Sequence, residues 1–215
     1  MNALPPVWEA IPRLALGDWW KEEDLPLDWG RYLAPGPLEV EVGYGGGDFL
    51  LALAERDPAA RFVGIERFGE GHRRLVAWMR RAGVRNVLPV LGDAYILLNL
   101  LFADASLRTL YVNCPDPWPK ARHARRRLLT EEFFRIAARK LSPGGRLFVA
   151  TDDRPYAEQA AAALSRVETL ASTHPGSPWT GASPYPVRTR YERRWAAEGR
   201  SMHYLVHERR LPCPT

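Results

Sequence analysis

A chain of 215 residues with 46% hydrophobic residues is long enough for one packed domain and short for two. Its apolar runs cannot span a bilayer and its opening residues lack the basic start and apolar stretch of a signal peptide, so a cytoplasmic protein off the membrane is expected. The formal net charge of +5 rests on arginine, 27 of the 30 basic residues, which leans toward phosphate and nucleic acid, while Cys114 and Cys213 make no disulfide framework or zinc cluster and no metal is expected.

Residues 1–37 hold Trp8, Trp19, Trp20, Trp29 and Tyr32 among prolines, with acids at Glu22, Glu23, Asp24 and Asp28. They read as an irregular segment with one short helix, packing over the sheet edge or across a cofactor site of a single domain at 38–215. Leu38–Val42 alternates apolar and acidic residues as a strand and stops at a glycine turn, Gly43–Gly47, before a helical pattern ending near Asp57. Arg61–Ile65 is the second strand, followed by a helix over 70–82 closed by Gly83. Val87–Leu91 is the third strand, a short helix covers 94–101, and Leu107–Val112 is the fourth strand. Pro115, Pro117 and Pro119 then force a stiff extended loop that carries Asp116 and Trp118. Lys120, Arg122, Arg125, Arg126 and Arg127 follow within eight positions.

Thr130-Glu131-Glu132 starts a helix that runs to Lys140, and Ser142–Gly145 is a turn. Arg146–Ala150 is the fifth strand, a helix follows from Pro155 to Ser165, residues 172–187 form a long irregular loop, and Ser201–Glu208 is a last strand. Strands alternating with helices imply a doubly wound, mainly parallel α/β sheet of Rossmann-like type with helices on both faces.

Ligands of such sheets bind beyond the carboxyl ends of the strands. Glu41, Glu66, Asp93, Asp116 and Asp152 stand at five consecutive strand ends, 25, 27, 23 and 36 residues apart. One such acid is usually a helix cap, but five at one sheet edge point to a ligand. A dinucleotide fingerprint would need a third glycine where Asp48 stands, and Glu41 and Asp48 would repel a pyrophosphate. The acidic rim suits a cofactor with a cationic end and no phosphate, which is S-adenosylmethionine. Glycines let the backbone approach its amino-acid end. Glu66 suits its ribose hydroxyls, against a plain salt bridge to Arg61 or Arg67, and Asp93 is placed for adenine or the neighbouring chain.

Pieces of the chain match a known family. They are Leu38–Gly45 with Gly47–Leu50, Gly64–Glu66, Gly92-Asp93-Ala94, Pro115–Lys120, Arg122-His123 with Arg125–Leu128, Pro143–Gly145, Ala150–Asp152 and Thr189–Glu192. On these residues the chain resembles the bacterial tRNA (guanine-N7-)-methyltransferases from about residue 36 to 195. The resemblance implies a seven-stranded class I methyltransferase sheet, S-adenosylmethionine as cofactor, tRNA as partner and a variable-loop guanine as target. It implies Glu41, Gly43, Gly45, Glu66, Asp93, Ala94 and Asp116 at the cofactor, with Asp116 at the methyl-transfer centre. Lys120, Asp152, Thr189, Arg190, Tyr191 and Glu192 would hold the substrate. Asn113-Cys114 departs from the family, which usually has aromatic residues there; Arg190 replaces the more usual lysine, and Gly46 is unusual inside its loop.

Guanine N7 has a lone pair and no proton, so its methylation needs positioning and electrostatics rather than a general base. Asp116 can accept from the guanine N1–H and amino edge or stabilise the growing positive charge. Trp118 either stacks on a base or anchors the loop. Arg122, Arg125, Arg126 and Arg127 are candidates for tRNA phosphates, and His123 for a phosphate or structural contact. A methyltransferase of the same fold acting on a small molecule or protein, and a non-catalytic RNA-binding module, are the competing readings, each as a monomer or a homodimer.

Overall fold

A computed structural model describes residues 25–211. The aromatic and acidic residues noted before position 25, and Cys213, lie outside them. Seven strands form one sheet: β1 (Leu38–Val42), β2 (Arg61–Glu66), β3 (Val87–Leu91), β4 (Leu107–Asn113), β5 (Leu141–Thr151), β6 (Leu170–Ser172) and β7 (His203–Arg209). Their order is β3-β2-β1-β4-β5-β7-β6, with β1 to β5 parallel and β7 antiparallel to both β5 and β6. Among the described residues six α-helices surround it: α1 (Asp48–Arg56), α2 (Gly69–Ala82), α3 (Ala94–Leu101), α4 (Glu131–Lys140), α5 (Arg154–Leu164) and α6 (Arg190–Ala197).

The sheet order explains β1. Alternation of apolar and acidic residues ordinarily marks a strand with one wet face. Here β1 lies between β2 and β4 with both faces covered, and all five of its residues are buried. Glu39 and Glu41 are therefore interior carboxylates. Glu39 is neutralised by Arg108, whose Nε donates to it at 2.6 Å, and by the Tyr111 hydroxyl at 2.9 Å. The strand order also reverses between β1 and β4, so the crevice beyond their carboxyl ends is the expected ligand position.

Helix boundaries follow the capping chemistry. Thr130 accepts the Phe133 N–H at 3.2 Å to start α4, with Glu131 and Glu132 in its first turn. Asp153 accepts the Tyr156 N–H at 2.8 Å to start α5, one residue ahead of Pro155. Gly83, left-handed at φ 68°, closes α2.

The structure differs from the sequence reading in four places. The arginine run, to which the sequence reading assigned no element, is wound into a short 3-10 turn over Ala121–Arg126. β5 starts at Leu141 and takes up the Ser142–Gly145 turn as a register irregularity against β4. β6 was not anticipated, since three residues are too few to show a pattern. α6 was not anticipated either. It begins straight after a proline-rich stretch and depends on a capping box in which Thr189 accepts the Glu192 N–H and Glu192 accepts the Thr189 N–H.

Within 25–37 the chain packs on the end of α3. Leu27 donates its N–H to Leu101 O at 3.0 Å, and the buried Trp29 stacks on Phe102 with ring centroids 4.7 Å apart. Among the described residues no helix is long and apolar enough to cross a membrane.

Candidate active site

The crevice at the strand tips divides into two adjoining clefts that share Gly43. The larger, about 1200 Å³, is lined by Glu66, Asp93, Ala94, Asp116, Trp118 and Arg125 to Arg127, among others. The smaller, about 240 Å³, is lined by Glu41, Gly45, Asp48, Asn113, Thr189, Arg190 and Tyr191, among others. Of the residues expected to hold cofactor, Glu66, Asp93, Ala94 and Asp116 fall in the first and Glu41 and Gly45 in the second. Of those expected to hold substrate, Thr189, Arg190 and Tyr191 reach the second cleft. Lys120 and Asp152 line neither. Lys120 is exposed at the start of the 3-10 turn, and Asp152 accepts from Arg200 Nη1 at 3.4 Å.

The glycine turn is shaped by what lies under it. Gly47 is left-handed at φ 82°, and a Cβ there would come within 2.6 Å of Leu75. Gly71 on α2 faces the turn so closely that a Cβ on it would lie 2.1 Å from Gly45 O. The turn is tied to β2 by Glu66, whose Oε2 accepts the Gly45 N–H at 2.8 Å. Its Oε1 accepts the N–H groups of Arg67 and Phe68 at 2.6 and 2.9 Å. Glu66 thus makes no side-chain salt bridge to Arg61 or Arg67 among the described ion pairs; Arg61 donates instead to Gly36 O at 2.6 Å. Asp93 is the N-cap of α3 and accepts the Tyr95 N–H at 3.0 Å.

Glu41 is the most perturbed acid of the site. Its Oε1 accepts from Asn113 Nδ2 at 3.0 Å, while its Oε2 is buried with no partner. Burial, opposed in part by the Asn113 hydrogen bond and more weakly by the Leu50 backbone, and reinforced by Glu66 and Asp48, pushes its pKa from the ordinary 4.5 to about 8. A buried carboxyl with one oxygen open, beside two further acids, fits a ligand that brings a cation.

Asp116 lines the larger cleft, exposed, on the proline loop. The loop is held in a strained shape: Cys114 and Trp118, on either side of Asp116, have φ 47° and 42°. Arg127 is what holds it. Its Nε donates to Pro117 O at 2.8 Å, its Nη2 to Trp118 O at 3.1 Å, and its Nη1 to Gln159 on α5. Its guanidinium also lies 5.7 Å from the Tyr156 ring centroid. Arg127 therefore braces the loop from inside. Arg122, Arg125 and Arg126 are exposed. Arg126 lies 4.9 Å over the Trp118 ring, and the His123 ring meets Trp118 edge-on at 5.6 Å, so Trp118 anchors the turn while still facing the cleft. His123 also accepts from Arg122 Nε at 3.3 Å.

Thr189 and Glu192 are likewise committed inside the protein. Besides the capping box, Glu192 Oε1 accepts the Ser183 hydroxyl at 2.7 Å and the Tyr204 hydroxyl at 2.5 Å. Their side chains fix the start of α6, and the exposed Arg190 and Tyr191 are what that start presents to the cleft. One residue of the site and one packed behind it escaped the sequence reading. Asn113 was noticed only as a departure from the family, and Tyr185, buried against it, sits in a stretch with no periodic signal.

This sheet order with its reversed seventh strand, a glycine turn after β1 and acids at the tips of β1, β2 and β3 define a class I methyltransferase. Solved structures of that class superpose on it: the antibiotic-resistance methyltransferase Kmr, with a TM-score of 0.59 at 21% identity over 90% of this chain and 95% of its own, and the aminoglycoside resistance methyltransferase NpmB1, with a TM-score of 0.58 at 19% identity over 88% and 95%. A family model described as "Putative methyltransferase" matches residues 35–205. The tRNA (guanine-N(7)-)-methyltransferase of Syntrophotalea carbinolica is 36% identical over 88% of this chain and 82% of its own length. That of Leifsonia xyli is 39% identical over 88% and 82%, and that of Methylococcus capsulatus 36% over 97% and 87%. The chain belongs to the tRNA (guanine-N(7)-)-methyltransferase family.

The raised pKa of Glu41 makes stability pH-dependent. Between pH 4.5 and about 8 the unfolded chain ionises this carboxyl while the folded protein keeps it protonated, so folding loses free energy as pH rises through that window. Urea unfolding at pH 6 and pH 8 should show a loss of about 2 kcal/mol in the ligand-free wild type that is missing in Glu41→Gln. Equal losses in both proteins would mean that Glu41 is already ionised at pH 6.

Proposed function

We propose that the protein transfers a methyl group to N7 of a guanine in tRNA, the variable-loop guanine, and that S-adenosylmethionine is the donor. The observation that carries this reading is Asp116, exposed in the large cleft on a loop braced into a strained shape, with exposed arginines on the same wall. The residues fit the donor: its ammonium matches the open oxygen of Glu41, and its lack of phosphate matches the acids Glu41, Asp48 and Glu66 around the glycine turn. When bound, it supplies an electrophilic methyl group to the N7 lone pair and leaves as the neutral thioether.

The chain's own residues then have three tasks. Glu66 orients the ribose with the acceptor capacity left beside its three backbone hydrogen bonds. Asp116 accepts from the guanine N1–H and amino edge, which turns N7 toward the methyl group, and its charge opposes the positive charge that grows on the purine. No proton is removed, so no residue is needed as a base. Arg122, Arg125 and Arg126 take the tRNA backbone, and Arg127 keeps the loop in shape beneath them.

Asp116→Asn keeps the shape, removes the charge and turns a donor toward the guanine donors. Turnover on unmodified tRNA should fall at least about a hundredfold, roughly 3 kcal/mol of transition-state stabilisation, with tRNA affinity changed far less. Near-normal turnover of Asp116→Asn, followed by nucleoside analysis for 7-methylguanosine, would show the loop to be structural.

Glu66→Ala removes charge-assisted bonds to ribose and also frees the glycine turn. Calorimetry should show S-adenosylmethionine affinity reduced about a hundredfold, with Glu66→Gln retaining part of it. Unchanged affinity in Glu66→Ala refutes the ribose assignment.

The arginines separate by role. Arg125→Ala and Arg126→Ala should each lower the slope of log affinity for tRNA against log salt by about one. Arg127→Ala should leave that slope nearly intact and reduce turnover instead, through a loosened loop. A slope change confined to Arg127→Ala, read by fluorescence anisotropy across a salt series, would reverse this division.

A further inference from the structure

Asn113 ends β4 at the switch point of the sheet, and its amide is used from both sides. Nδ2 donates to Glu41 Oε1 at 3.0 Å, and Oδ1 accepts the Tyr185 hydroxyl at 2.7 Å. All three residues are buried. The Tyr185 ring is held among Phe49, Phe148 and Tyr204, with centroid separations of 5.1, 5.6 and 5.6 Å. Two residues before it, Ser183 donates to Glu192, the residue that closes the capping box and fixes where Arg190 and Tyr191 stand. Tyr204, which packs on Tyr185, donates to the same carboxylate.

An amide is a two-state device, because its two ends have opposite hydrogen-bonding character. A charged Glu41 demands the nitrogen end, which leaves the oxygen end for Tyr185. A protonated Glu41 can donate to the oxygen end, and the demand on orientation disappears. A cation against the open Oε2 holds Glu41 charged and thereby fixes the amide as observed. We propose that Asn113 is a positioning residue that couples the two ligands: a cationic cofactor group at Glu41 locks the amide, and through Tyr185 it locks the 183–192 segment that presents Arg190 and Tyr191 to the target guanine. By reciprocity, tRNA bound against that segment tightens the cofactor. The coupling rests on reading the clefts as cofactor and guanine sites.

Other groups around Glu41 share its electrostatics. Glu66 faces it from β2, Asp48 from α1, and Cys114 and the Tyr44 and Tyr185 hydroxyls lie within its field, while Arg190 and Arg194 line the same cleft.

The test is calorimetric titration of S-adenosylmethionine into wild type, Tyr185→Phe and Asn113→Leu, with and without a tRNA transcript, from pH 6 to 8. Tyr185→Phe keeps the ring and its packing, so it isolates the hydroxyl. In wild type, tRNA should tighten the cofactor by about fivefold or more. In Tyr185→Phe this tightening should fall within about twofold of none, with cofactor affinity in the absence of tRNA changed less than about threefold. Asn113→Leu should weaken the cofactor alone by about tenfold at neutral pH and move the pH of half-maximal affinity upward, a shift that a merely structural residue would not cause. Wild-type coupling retained in Tyr185→Phe, or tRNA bound by wild type with no effect on the cofactor, overturns the proposal. Cofactor binding with no binding of tRNA at all would overturn the functional reading itself, and is a separate signature.

Discussion

A carboxylate at the end of the central strand of a parallel sheet has no water to turn to. Glu41 is in that position, and much of the site is arranged around the resulting deficit. One of its oxygens is met by an amide from the neighbouring strand and the other is left open. Glu39, two residues earlier on the same face, shows the contrasting solution. It is fully neutralised by Arg108 and Tyr111 from β4, and Arg108 is itself paired with Asp57 at 2.7 Å. Two acids on one strand thus divide into a closed structural pair and an open ligand-facing one. The difference lies in which residue of β4 reaches each acid: an exposed arginine near the start of the strand for Glu39, a buried asparagine at its end for Glu41.

The proline loop obeys a different constraint. Three prolines remove backbone donors, so neighbouring strands cannot hold the loop by a hydrogen-bond ladder. Its carbonyls remain available, and Arg127 takes two of them with one guanidinium while reaching α5 with its third nitrogen. That is how two residues in left-handed conformations stay in place around Asp116. The neighbouring arginines have no such internal work, and only position in the short 3-10 turn distinguishes them from Arg127.

Much of this could be read from the sequence. The elements through α5, apart from the start of β5, follow the expected boundaries closely, because hydrophobic period, glycine stops and capping residues agree at each of them. The strand-tip acids were legible because a repeating unit returned one acid to the same edge each time. What could not be read was the internal use of polar residues. Arg127 looks like Arg125 and Arg126 in a run, and only the fold reveals that it faces two carbonyls. Thr189 and Glu192 carry a capping-box pattern, but in a proline-rich region whose helix is eight residues long. The Asn113–Tyr185 bond joins positions 72 apart, beyond any local pattern.

The contact between Gly71 and Gly45 has a consequence for how the molecule tolerates change. Position 71 is on a helix and lines neither cleft, and by its place in the sequence looks free to vary. Yet the backbone carbonyl of Gly45 occupies the space where its side chain would begin. Even alanine there would have to push the glycine turn away from α2, and the turn is tethered to Glu66. In a library of single substitutions, position 71 should therefore sort with the residues that touch ligand rather than with the helix surface it appears to share. Sensitivity to mutation would then mark the packing that shapes the site as strongly as the chemistry within it.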